Sequence, residues 1–164
     1  MSDQLHVCFV CTGNICRSPM GQNIFRKALA DAGLAERVRV TSAGTGGWHE
    51  GEPADNRART ELLAHGYSDV HVAAQLSPEH FEADLLVAMD HGHLKDLERK
   101  RLGPRARLLH SFTPTIGDEP GRTEVADPYY GTQDDFGATR EQIEAAIPGL
   151  LAWVHAQLDA SVTG

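Results

Sequence analysis

Leu5-His-Val-Cys-Phe-Val10 runs into Cys11-Thr-Gly-Asn-Ile-Cys-Arg17 and then into Ser18-Pro19-Met20. The first segment is a nearly continuous apolar run, the pattern of a parallel strand covered on both faces. Ser18 suits a helix N-cap and Pro19 the first helical position. Met20, Ile24, Ala28 and Leu29 then recur at helical spacing until Gly33, a residue type that stops helices. A strand, a short turn and a helix therefore open the chain.

The alternation continues outward from there. Val38 to Thr41 reads as a second strand ending at Ser42-Ala43-Gly44, followed by a helix from about Ala54 to His65 with Ala58 and Leu62 on one face and Gly66 closing it. Asp84 to Met89 is a third strand, and Asp90 can cap a helix containing Leu94 and Leu97. Arg105 to Leu109 is a shorter fourth strand. A polar stretch from His110 to Asp135 leads to a last amphipathic helix carrying Ile143, Ile147, Leu150 or Leu151, Val154 and Leu158, which Pro148-Gly149 is expected to kink or break. Asp134 and Asp135 suit the start of that helix, where carboxylates favour the dipole. Strands alternating with helices imply a parallel sheet with right-handed crossovers, in one α/β domain spanning residues 1–164. In such folds ligands sit beyond the carboxyl ends of the strands. Cys11, Ser42 and Asp90 are all expected on that edge, and the long polar stretch leaves from it.

Bulk composition narrows the function classes. Of 164 residues, 41% are hydrophobic and 23% charged, the balance of an ordinary globular domain. The net charge of −8 argues against nucleic acid, whose binders neutralise phosphates with basic patches. It leaves a phosphorylated substrate open, because at physiological salt charges are screened over about 8 Å and local donors dominate. No apolar run reaches the roughly 20 residues of a membrane span. Met1-Ser2-Asp3-Gln4 has neither a basic n-region nor a cleavage site, so the expected compartment is the cytoplasm, with signal-independent export left open. A monomer is the default expectation. Cys8, Cys11 and Cys16 are an odd set within nine residues, which suits a reactive thiol better than a disulfide framework. Cys8, mid-strand, reads as a core residue. His91 and His93 point to different sides of a helix and lack further ligands, so no metal and no cofactor are expected.

Cys11 to Ser18 has the form Cys-x5-Arg-Ser between strand and helix. A loop wrapped into a nest turns successive backbone N–H groups inward, and the following helix adds its positive end; such a cradle suits a phosphate. Thr12, Gly13, Asn14, Ile15 and Cys16 form its rim. The same donors stabilise a thiolate at its base. Arg17 can grip two phosphate oxygens with its planar fork and stabilise the equatorial oxygens of a transition state. Gly13 and Asn14 tolerate left-handed backbone geometry, and Ser18 can donate a hydrogen bond to the Cys11 sulfur. Nucleophilic catalysis then needs an acid for the leaving oxygen. Asp127-Pro-Tyr-Tyr130 offers Asp127, stiffened by Pro128, with Tyr129 and Tyr130 as an aromatic wall. A deep cleft favours phosphotyrosine, because phosphoserine is too short to reach a thiolate at the bottom.

Cys11-Thr-Gly-Asn-Ile-Cys-Arg-Ser-Pro19, Thr41-Ser-Ala-Gly-Thr45 and Asp127-Pro-Tyr-Tyr130 together resemble the low-molecular-weight protein tyrosine phosphatase family over nearly the whole chain. The resemblance implies a four-stranded parallel sheet, order 2-1-3-4, flanked by helices. It implies Cys11 as nucleophile, Arg17 as phosphate clamp and Asp127 as acid and then base. By the same resemblance Asn14, Ser18, Ser42 and His71 shape the loop, Asp90 lies close to Arg17, and Trp48, Tyr129 and Tyr130 line the cleft; His49, next to Trp48, is expected on the same wall. Cys16 resembles the neighbour that forms a protective disulfide with the nucleophile; a packing role is the alternative. The chain departs from the family at His93, where relatives often carry Asn, and at Ala74, where they commonly carry Arg.

Three rival readings share the loop. Thioredoxin-coupled arsenate reductases use further cysteines downstream, and none follows Cys16. Phosphoarginine phosphatases tend to carry Thr within the loop, where this chain has Ile15. A phosphate-binding module without chemistry would have no use for Asp127.

Overall fold

The structure, a computed structural model, describes residues 4–113 and 124–163. Four parallel strands form one sheet: β1 (Leu5–Cys11), β2 (Val38–Gly44), β3 (Leu85–Ala88) and β4 (Ala106–Leu108), in the order β2-β1-β3-β4. β1 is central, pairing Cys11 with Gly44 on one side and Val10 with Ala88 on the other. The α/β architecture and strand order agree with the expectation from the resemblance.

Alternation along β1 divides the core in two. Val7 and Phe9 face one layer, packed with Met20, Ile24 and Phe25 of α1 (Arg17–Asp31), Leu62 of α2 (Asn56–Ala64) and Ile143, Leu150 and Val154 of α5 (Gln133–Thr163). Cys8 and Val10 face the other, with Leu97 of α4 (His91–Arg99), Leu102 and partly buried Phe81 of the short α3 (Pro78–Phe81). Burying a side chain such as Phe9 contributes roughly 2–3 kcal/mol, so each layer holds the sheet firmly. Among the described residues no helix is long and apolar enough to cross a membrane.

Two local expectations are corrected. α1 begins at Arg17 with Cys16 at its N-cap, not at Ser18, because the Ser18 hydroxyl is engaged by Cys11 and Asn14. α5 runs as one helix through Pro148. Its buried stripe of Ile143, Ala146, Leu150 and Val154 outweighs the hydrogen bond that Pro148 cannot donate. Asp134 and Asp135 do occupy its first turn. The stretch from His110 to Asp135 begins with a 3-10 turn, Leu109–Phe112, and residues 114–123 of it lie outside the described residues.

Candidate active site

β1 delivers Cys11 to the carboxyl edge of the sheet, and the chain then curls back into α1. The curl is held from below. Asn14 adopts left-handed backbone geometry, φ 59°, which a non-glycine residue keeps only where its surroundings enforce it. Its carbonyl oxygen bonds His71 Nε2 at 2.7 Å, and its side-chain Oδ1 accepts from the Ala74 amide at 2.8 Å. The Asp55 amide donates to the Ile15 carbonyl. Gly13 is not left-handed, contrary to the expectation. It is small because a Cβ there would stand 3.0 Å from the His49 ring. Gly44, whose missing Cβ would meet the Thr12 carbonyl at 2.7 Å, lets β2 close against the loop.

A directed chain of hydrogen bonds ends on the sulfur. Because Asn14 Oδ1 is taken by the Ala74 amide, its Nδ2 is the donor to Ser18 Oγ at 2.7 Å and to Ser42 Oγ at 3.0 Å. Ser42 passes its proton on to Gln22 Oε1 at 2.6 Å. Ser18, already accepting, is left to donate to Cys11 Sγ at 2.8 Å, and the Ser18 amide lies 3.4 Å from the same sulfur. Two donors thus converge on one buried sulfur.

Arg17 is buried, 3% exposed, and its Nη1 is committed to Asp90 Oδ2 at 2.9 Å and to the Val125 carbonyl at 2.8 Å. Its Nη2 faces Asp127 Oδ2 at 3.7 Å. The fork is thus aimed by one edge, leaving the other toward the cleft. Burial alone would push the Asp90 carboxyl up. The hydrogen bond from the His93 amide and the Arg17 guanidinium more than offset it, and it sits below its ordinary value.

Over this floor stands a cleft of about 290 Å³, with Cys11, Thr12, Gly13, Ile15, Cys16 and Arg17 beneath and Trp48, His49, Asp127, Tyr129 and Tyr130 around it. Trp48 and Tyr130 are 75% and 93% exposed, so Trp48 is a wall and not a core aromatic. Tyr129 and Tyr130 meet edge to face at 4.9 Å. Burial pushes the Cys16 thiol well up, keeping it protonated. Cys8 is buried in the sheet and pushed up to about 12 for the same reason. Among the described residues no group of three His, Cys, Asp or Glu side chains is arranged to hold a metal.

The family model of the low molecular weight phosphotyrosine protein phosphatases matches residues 6–162. The chain belongs to that family. Low molecular weight protein-tyrosine phosphatase A of Mycobacterium tuberculosis is 52% identical over 161 residues, 96% of each chain. Among solved structures, a protein tyrosine phosphatase from Entamoeba histolytica superposes with a TM-score of 0.86 at 30% identity, covering 94% of this chain and 99% of that one. YwlE, an arginine phosphatase, as solved for a Bacillus subtilis mutant, gives 0.80 at 29% identity, covering 93% and 99%.

Of the residues suggested by the resemblance to the low molecular weight phosphatases, Asn14, Ser18, Ser42, His71 and Asp90 do not line the cleft but are hydrogen-bonded within or to the loop that forms its floor, and the others line it. Several others that brace it were not anticipated. Arg57 holds the tyrosine segment: its Nη2 donates to the Tyr129 carbonyl and its Nη1 to the Gly131 carbonyl, both at 2.9 Å, while Asp55 grips the same guanidinium. Its plane also lies 4.6 Å from the Phe136 ring centre. Gln22, Gly44 and Val125 were missed likewise. An Asp-x-Arg at a helix start was the one visible signal, and it also fits ordinary capping.

Buried histidines, at the site and away from it, make this phosphatase sensitive to acid. Burial, first among the causes, lowers the pKa of His6, His71, His80 and His93 from the ordinary 6.5, and His93 reaches about 4 with Arg17 beside it. These rings are neutral in the folded protein and charge readily once unfolded. The unfolded chain therefore binds more protons below pH 6.5, and stability falls as pH drops from 6.5 toward 4. For His93 the full effect is on the order of 3 kcal/mol. Urea unfolding midpoints at pH 7, 5.5 and 4.5 should decline steadily. A flat profile would mean that the rings are charged in the fold.

Proposed function

We propose that this chain, as one phosphatase unit over residues 1–164, hydrolyses phosphotyrosine and small aryl phosphate monoesters through a phosphocysteine on Cys11. The observation that carries the reading is a sulfur held by two donors at the floor of an aromatic-walled cleft, with Arg17 and Asp127 beside it. The Cys11 thiolate attacks phosphorus and the bond to the aryl oxygen breaks, with Asp127 giving its proton to the departing oxygen. Loop N–H groups and Arg17 stabilise the equatorial oxygens as charge shifts onto them. Asp127, now a carboxylate, takes a proton from water as that water attacks the phosphocysteine, releasing inorganic phosphate and restoring the thiolate. The backbone donors and Arg17 supply the positive charge, so these steps call for no metal or other cofactor.

The substrate is a phosphotyrosine-bearing protein, whose ring fits between Trp48, His49 and the Tyr129-Tyr130 pair. A net charge of −8 supports a chain that does not engage nucleic acid. A monomer working in the cytoplasm is the simplest setting for this reading. Cys16, a buried thiol on the same cleft, is the partner with which oxidised Cys11 would close a protective disulfide.

The test is phosphate release from a phosphotyrosine peptide, with phosphoserine and phosphoarginine peptides alongside and chelator present. Fast release from phosphotyrosine alone is expected. Preferential release from phosphoarginine would transfer the reading to the chemistry named for YwlE.

A further inference from the structure

His93 touches both the phosphate loop, at Thr12, and the carboxylate that holds Arg17, Asp90. Its ring is buried, 3% exposed, on the first turn of α4. Nε2 lies 2.9 Å from Thr12 Oγ1, one residue beyond the nucleophile. Nδ1 stands 3.2 Å from Asp90 Oδ1, off the line that a hydrogen bond needs, and has no hydrogen-bond partner among the described residues. Asp90 in turn accepts the His93 amide on Oδ1 and Arg17 on Oδ2. His93 therefore connects the carboxylate that aims the clamp, through its amide, to the first residue of the cradle, through its ring.

The surroundings select its protonation. A lone pair on Nδ1 would oppose the Asp90 carboxylate, so the single proton of a neutral ring belongs on Nδ1. Nε2 then accepts, and the Thr12 hydroxyl donates. The charged groups facing the ring are Arg17 from α1, Asp90 and Asp96 from its own helix and Asp127 from the long loop. Burial and Arg17 outweigh the three carboxylates and keep the ring neutral. A protonated ring would donate at both nitrogens, reverse the Thr12 bond and compete with Arg17 for Asp90.

We propose that His93 is a positioning residue for the phosphate loop, binding Thr12 and Asp90 into one unit so that the cradle and the Arg17 fork hold a fixed spacing. The residue acts through Thr12 and Asp90 and not on substrate. The assignment rests on the phosphatase reading for its role in turnover, but its effect on phosphate binding needs no turnover.

The experiment is a double-mutant cycle of His93→Ala and Thr12→Val, reading the dissociation constant of inorganic phosphate by calorimetry and the kcat and KM for an aryl phosphate. One hydrogen bond shared by the two residues predicts that each single variant weakens phosphate binding roughly 3- to 10-fold and that the double variant loses no more than either single one. His93→Gln, whose amide reaches toward the same hydroxyl, should recover most of the loss. Thermal melts identify any variant that fails to fold, in which case the Gln variant with Thr12→Val completes the cycle. Additive losses, unchanged phosphate binding in both single variants, or no recovery with Gln would each overturn the proposal. Absence of turnover in the unmodified chain would count against the phosphatase reading alone, because the phosphate-binding cycle still decides the role of His93.

Discussion

Replacing Cys11 by Ser should reduce kcat for phosphotyrosine by about 10⁴-fold or more, the scale seen when a covalent nucleophile is removed. Sulfur and oxygen are close in size, and the cradle around Cys11 is built from backbone and from Asn14, Ser18, Ser42 and His71. None of these changes in the variant. A serine hydroxyl at that place is a far weaker nucleophile, because an alcohol ionises far less readily than a thiol. Inorganic phosphate should still bind within a few-fold of its normal constant. Turnover assays and calorimetry on the same preparation separate the two quantities. Activity persisting within tenfold would place the nucleophile elsewhere, and loss of phosphate binding together with activity would mean that the sulfur is part of the cradle's structure.

Asp127→Ala should divide substrates by their leaving groups. General acid catalysis contributes typically 10²–10⁴-fold, and a phenol as basic as tyrosine needs all of it. An ester of a strongly acidic phenol leaves unaided, so its first step should be nearly unaffected. The carboxylate suits the role by position: it lies on the cleft beside Arg17 Nη2, and its other oxygen accepts the Tyr129 amide. It is also 45% exposed, so it can exchange protons with water between the two steps. Parallel rate measurements on the two ester types decide the matter, because equal losses on both would remove Asp127 from the acid role.

The strands were legible in the sequence because a sheet covered on both faces demands continuous apolar runs, and Leu5 to Val10 and Asp84 to Met89 supply them. The loop was legible because its chemistry is contiguous: nucleophile, clamp and sulfur donor fall within eight residues. What braces the loop was not. Gln22 completes the Ser42 relay, Arg57 holds the tyrosine segment, and Val125 meets Arg17 from 108 positions away. Each has an unremarkable local pattern, and its role exists only once the sheet brings it to the edge. The same limit explains the two corrections to the helices. Ser18 is an apt cap by residue type, yet the sulfur and Asn14 claim its hydroxyl. Pro148 is a helix breaker by type, yet the stripe on either side of it is committed to the core.

Val125 is fixed twice, its amide to the Met89 carbonyl at 2.9 Å and its carbonyl to Arg17. It works as a mooring point. From that clamped backbone Asp127 is two residues away, so the bond that aims the Arg17 fork also sets the distance at which the carboxylate reaches the cleft.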